Sequence, residues 1–411
     1  MVVRSCKRLP KNSNGNRTPL IDYGFKNVLG PWTEHSCRPR IAGRLFSRAR
    51  NLLREPDLEQ LQKEILVSPT ISRWLLEENE PSSQYFTLTE LMDYDTQDTA
   101  VRTARERIGK EGWTARIFAK QKENTYWENK ESCYVPKFTG TGWQLAVLAD
   151  LGVSSEDPRF ANAVDHFFEL HNVETGGFSI RPKNQKGFEP HVCNTGNMVR
   201  ALAKAGYSKD DRVRKAMGWL LSKQLSDFAW NCAPSGKHGS FLATVEPMWA
   251  LSEMIKHEPR EEWKEAAAKS SEFVLRHKVY KSDRDDSVVL FDFLKIHYPT
   301  HYCYDFLHGL RILGELEVSG DERMDDALRM LRAKQLVDGR WPLEAVYRGW
   351  RQSHPMHGTE TVSRPEEREL VTEGWGTDHT LQVEEAGKPS KWVTLQALLV
   401  LKRLGLAESQ S

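Results

Sequence analysis

The chain has 411 residues with 58 Lys and Arg against 57 Asp and Glu, so its net charge of +1 gives no general electrostatic reason to bind nucleic acid or an anionic membrane. At 39% hydrophobic and 28% charged residues it is too apolar for a disordered chain and too polar for an integral membrane protein. No apolar run approaches the roughly 18 residues of a spanning helix.

Residues 1–54 carry 12 Lys or Arg and only Asp22 and Glu34 as acids, with Pro10, Pro19, Pro31 and Pro39 among them. The segment reads as a disordered basic arm, a composition shared with organelle transit peptides. Its start, Met1 to Leu9, lacks the apolar stretch of a secretory signal. The six cysteines (Cys6, Cys37, Cys133, Cys193, Cys232 and Cys303) form no CxxC pair. That scatter argues against a disulfide scaffold or a zinc ribbon and predicts a reducing, cytoplasmic setting.

From Glu55 to the end the dominant signal is a period. Helix-like runs end at Gln121, Gln224 and Gln335, and each reaches a tryptophan six residues on: Trp127, Trp230 and Trp341. His171 and His277 fall midway, so the marks at 121, 171, 224, 277 and 335 are 50, 53, 53 and 58 residues apart. After each mark comes a loop and then an apolar helix, at 142–152, 196–206, 244–254, 305–316 and 392–405, with an earlier one at 85–92. These are apolar around much of their circumference, as helices buried on two sides must be. The helices between them, such as 210–224 and 321–335, are charged on one face only and form an outer layer. Strand signals are poor. The prediction is an all-α repeat of six inner and six outer helices over 55–411, with a long insert at 342–389 whose Trp350, His354, Trp375 and His379 suit a lid.

The Gln-x5-Trp marks, the period near 50 residues and the inner–outer alternation resemble the α/α toroid of terpenoid cyclases and protein prenyltransferase β subunits. Gln335 with Asp338-Gly339-Arg340-Trp341 is the copy nearest to the cyclase Gln–Trp repeat. The resemblance implies an (α/α)6 double ring, structural repeats in which Gln ties a helix end to the next indole, and a central apolar cavity for an isoprenoid or other hydrophobic small molecule.

The same resemblance directs attention to residues at the starts of the inner helices. Class II cyclases protonate an alkene with the middle acid of Asp-x-Asp-Asp, and Asp283-Arg284-Asp285-Asp286 is a literal copy, which makes Asp285 a candidate acid. Lys281 and Arg284 beside it favour the ionised form, and an intervening segment separates it from the next inner helix. Prenyltransferases hold zinc with Asp, Cys and His and work with a helical partner subunit. Here His301 and Asp305 stand at i, i+4, with Cys232 and His238 introducing the preceding inner helix, so these four form the zinc set, although the family's Asp-x-Cys pair is absent. Glu246 and Asp305 also offer an acid pair of the kind glycoside hydrolases use, and His301 completes the catalytic candidates. Trp143, Trp249, Tyr302, Tyr304 and Trp392 supply aromatic faces, and Asn197 and His308 polar contacts, for a bound chain. The alternative from another class is a non-catalytic ligand-binding or assembly module on the same scaffold, with no nucleic acid partner.

Overall fold

Two sequence devices, each repeated along the chain, organise the molecule. The computed structural model describes residues 68–233, 236–300, 304–346 and 383–406; residues 1–54 and most of the 342–389 insert lie outside them.

In chain order the helices are α1 (Pro69–Leu75), α2 (Pro81–Phe86, continued by a π turn Thr87–Leu91), α3 (Thr99–Arg107), α4 (Gly112–Phe118), α5 (Thr141–Asp150), α6 (Pro158–His171) and α7 (Val192–Leu202, continued by a π turn Ala203–Tyr207). They continue with α8 (Asp211–Leu221), α9 (Phe241–His257), α10 (Glu261–Arg276), α11 (Phe306–Glu315), α12 (Asp325–Ala333) and α13 (Lys391–Arg403). Among the described residues, β structure is limited to isolated bridges.

Helices α2, α5, α7, α9, α11 and α13 form the inner layer. Every residue of α5 is buried, as its apolar circumference requires. The outer helices bury one stripe: in α8 this is Val213, Ala216, Met217 and Leu220, the i, i+3, i+4, i+7 spacing. Neighbouring inner helices pack in chain order from α5 to α13, and α13 returns to the π turn after α2. There Lys402 donates to the carbonyls of Glu90 and Leu91, Arg403 pairs with Glu90, and Trp392 meets Phe86 at 5.7 Å. The described chain from α1 to α13 is thus a closed (α/α)6 double ring, as the resemblance implies.

The first device is the tryptophan. The indole N–H of Trp127, Trp230 and Trp341 donates to the carbonyl ten residues back, on Ile117, Leu220 and Leu331, at 2.9, 2.8 and 2.7 Å. Their backbone N–H groups donate to Thr141, Thr244 and Thr394, on the next inner helix. Each indole therefore pins an outer helix end to an inner helix start. The expected role of the glutamine changes: Gln224 and Gln335 close the turn by donating to Phe228 and Gly339, and Gln121 and Gln224 reach the next outer helix at the carbonyls of Arg159 and Ala266.

The second device is Asp-x-Arg at outer helix starts. Asp157 and Asp210 accept from the N–H two residues on, capping α6 and α8, and Asp321 does the same for the short 3-10 turn that leads into α12. Arg159 and Arg212 then stack on Phe118 and Phe168 of the preceding outer helix, and Arg323 pairs with Glu272 of α10.

Candidate functional site

Because each inner helix is followed by an outer one running back, the six inner helices run parallel and surround one hub. Its composition differs from the apolar cavity expected of the resemblance: the hub carries charges.

On α7, Asn197, Arg200 and Lys204 recur every three or four residues and share one face. Arg200 donates to Asn197 at 2.9 Å and lies 3.4 Å from Glu246 of α9 and 3.9 Å from Asp150 at the end of α5. Arg311 of α11 donates to Asp150 at 3.0 Å and to Glu315 at 3.1 Å. Lys204 adds a contact to Asp150 at 3.6 Å. Glu315 also takes Lys256 of α9 and Arg403 of α13, both at 3.4 Å. Since Arg403 pairs with Glu90, the network touches all six inner helices. Trp249 sits within it, its indole flanked by the guanidinium groups of Arg200 at 3.9 Å and Arg311 at 4.2 Å, while its N–H donates to Glu315.

The two central carboxyls are driven apart. Burial pushes Asp150 up, but Arg311, Lys204 and Arg200 reverse that and hold it at about 2. Glu246 is 2% exposed; burial raises its carboxyl to about 7, with Arg200 opposing and the Asp150 charge reinforcing the rise. Burial also raises Glu315, yet Lys256, Arg311 and Arg403 bring it well below the usual range. Burial thus favours the neutral form of Glu246, while the surrounding cations favour the ionised forms of Asp150 and Glu315.

Tyr298, from the connection between α10 and α11, closes the hub against Trp392 at 5.5 Å; burial and the Asp150 charge raise its phenol well above the normal range. Arg200 Nε and Glu246 Oε2 meet only in their 3.4 Å ion pair, and Trp392 Nε1 and Gln396 Oε1 on α13 are buried without a hydrogen-bond partner among the described residues.

Of the sequence candidates, Glu246, Asn197 and Trp249 meet in the hub, with His308 beside the Trp249 ring at 5.0 Å and Trp392 against Tyr298. Trp143 packs on Tyr134 and Phe138 and donates to the Tyr134 carbonyl. Tyr304 lies against Phe241 and Phe293 and bonds the Val279 carbonyl, holding the wall rather than the hub. Asp305 caps α11: its oxygens accept from the backbone of His308 and His297, both at 2.8 Å, the bonds of a structural cap. Asp285 lies on an exposed loop, where bonds from Ser287 and Ser282 lower its carboxyl, the reverse of what a proton donor needs. His301, Tyr302 and Cys303 lie outside the described residues.

Of the zinc set, Asp305, Cys232 and His238 lie among the described residues. Cys232 is joined to Cys193 in a disulfide, against the expectation of unpaired cysteines, and His238 is exposed. Among the described residues no three His, Cys, Asp or Glu side chains gather as a metal site.

Sequence reasoning missed Asp150, Arg200, Lys204, Arg311, Glu315 and Tyr298. A signal existed for five of them: a charge inside a helix that is otherwise apolar all round.

No protein-family model matches the sequence, and no curated protein does. Solved structures do. The type II terpene cyclase MstE from Scytonema is similar at 16% identity over 70% of this chain and 82% of its own, with a TM-score of 0.38. A variant of it in complex with geranylgeranyl dihydroxybenzoate is similar at 14% identity over 80% and 87%, TM-score 0.38. A protein from Actinoplanes is similar at 15% identity over 79% and 90%, TM-score 0.37. At such scores the likeness is weak, and the functional reading is built on the hub's own residues. No described helix is long and apolar enough to cross a membrane.

Proposed function

We propose that this ring is terpenoid cyclase-like and that its hub is an acid centre for an isoprenoid or a similar hydrophobic small molecule. The observation that carries the reading is the buried carboxyl pair, Glu246 and Asp150, on inner helices either side of Arg200. The Gln–Trp repeat supports the substrate class by its resemblance to cyclases.

In this reading Glu246 is the proton donor. Its proton passes to an alkene carbon of the substrate, the π electrons form the new C–H bond, and the cation left behind rearranges until a proton is lost, so the net change is an isomerisation. Asp150 stays ionised beside its three cations and contributes the negative charge that keeps the Glu246 proton in place. The Trp249 ring already carries the guanidinium groups of Arg200 and Arg311, so Trp392 is the hub indole assigned to a developing cation. Substrate entry requires Tyr298 to move aside.

Incubating the protein with geranylgeranyl diphosphate and with squalene, followed by mass spectrometry of the products, tests this. The expected result is a cyclised or isomerised product that falls by about 100-fold or more in Glu246→Gln. Product formation unchanged by that substitution excludes Glu246 as the acid.

One observation favours a second reading. The ion network joins all six inner helices and the hub side chains are buried, as suits a non-catalytic assembly scaffold. Under that reading neither substrate is turned over, and Glu246→Gln changes stability alone.

A further inference from the structure

We infer that Asn197 is a positioning residue that holds the Arg200 guanidinium between Glu246 and Asp150, short of a hydrogen bond to either. The inference rests on the proposed reading only for its use in turnover, where Glu246 is the acid; the placement itself stands on distances.

Asn197 and Arg200 stand three residues apart on α7 and share a face. Arg200 Nη2 donates to Asn197 Oδ1 at 2.9 Å. Its Nε lies 3.4 Å from Glu246 Oε2 and its Nη1 3.9 Å from Asp150 Oδ1, contacts too long or too bent for a hydrogen bond. A guanidinium carries its N–H donors in a fixed fork that suits a carboxylate in two parallel bonds. Arg200 lies beside two carboxyls and makes that bond to neither.

Three constraints account for this. Helices α7 and α9 touch backbone to backbone at Gly196, where a Cβ would stand 2.7 Å from the Pro247 nitrogen and 2.9 Å from the Glu246 carbonyl carbon, so neither helix slides to bring the pair together. The guanidinium rests over the Trp249 ring at 3.9 Å, and that ring is tied through its N–H to Glu315 at 2.8 Å. The freedom left is a turn of the fork over the indole, and the bond to Asn197 stops it.

The charge of Arg200 therefore reaches both carboxyls while its directed bonds reach neither. Asp150 is already held by Arg311 at 3.0 Å and Lys204 at 3.6 Å, and Tyr298 faces it from the connection before α11. Glu246 Oε2 has no hydrogen bond of its own among the described residues, so a fork released from Asn197 turns onto Glu246. Two charge-assisted bonds would then favour its ionised form and oppose the rise that burial and the Asp150 charge produce, adding to the pull of Arg311. Asn197 thereby keeps the proton on the residue that has to donate it.

The test is a carbon-13 NMR titration of the Glu246 carboxyl in the full chain, in wild type, Asn197→Ala and Asn197→Asp, and in Arg200→Met with and without Asn197→Ala. Asn197→Ala is expected to lower the midpoint by about one pH unit, a roughly tenfold loss of proton affinity. Asn197→Asp keeps the size, grips the fork more firmly and adds negative charge, so it should raise the midpoint. In the Arg200→Met background there is no fork to release, and Asn197→Ala should move the midpoint by less than about 0.3 units. Equal shifts in both backgrounds, or none in either, overturn the inference, because Asn197 then acts through packing or not at all. If the Arg200→Met chain does not fold, the near-isosteric Asn197→Asp decides by sign: a midpoint that falls or stays overturns it. None of these readouts depends on turnover, so a failed cyclisation assay leaves the role of Asn197 standing, and midpoints that ignore Asn197 leave Glu246 as the acid.

Discussion

Burial raises the pKa of Glu246, and groups on three other helices adjust it: Arg200 of α7 and Arg311 of α11 lower it and Asp150 of α5 raises it. That has a consequence for stability. A carboxyl whose folded pKa of about 7 exceeds its unfolded value near 4.5 favours the folded state fully below the unfolded value, and the contribution is lost as pH rises through 7. The wild type should therefore lose about 3 kcal/mol between about pH 4.5 and pH 7.5 from this group. Glu246→Gln, which carries no proton to lose, should lack this component, so the difference between the two stability curves isolates it from His171, which burial holds at about 4 and which titrates in the same window; chemical denaturation at a series of pH values measures it. Asp150 acts in the opposite sense. Its depressed carboxyl contributes stability above the unfolded value of about 3.8 that disappears as pH falls toward about 2.

At the level of elements, the tryptophan and threonine anchors make each repeat a unit. Thr244→Val keeps the shape but leaves the Trp230 N–H without its 3.0 Å acceptor in a buried site. The expected loss is about 1–3 kcal/mol in urea unfolding, whereas Thr125→Val, on an exposed turn, should change stability by less than about 0.5 kcal/mol. Removing the Asp210 cap of α8 by Asp210→Ala should lose about 1 kcal/mol. Much of this level was legible in sequence. The three Gln-x5-Trp marks locate the outer-to-inner turns because a tryptophan at a fixed distance from a helix end can reach back to one carbonyl of that helix. The threonines that receive the Trp127 and Trp230 backbones stand fourteen residues on, a regularity present in the sequence but hidden beneath commoner signals.

The alternation of inner and outer helices was legible in the period, but the period fits an open solenoid as well as a closed ring, and closure was implied only by the resemblance to α/α toroids. What the hub contains was not legible. Asp150 and Arg311 meet across 161 residues, and no local pattern reports a pair that only ring closure creates. Periodicity also cannot say which buried face of an inner helix looks inward, so Tyr304 was assigned to the ligand although it faces the wall. Asp283-Arg284-Asp285-Asp286 shows the opposite error: a motif correct in letters but placed on an exposed loop, where Lys278 pairs with Asp286 and water solvates the rest. The measurement that tests the central claim most directly is a carbon-13 NMR titration of the side-chain carboxyls, with Glu246 assigned by its absence in Glu246→Gln. A midpoint near pH 7 for that resonance is predicted; a midpoint near 4.5, the value of an ordinary solvated glutamate, contradicts the account.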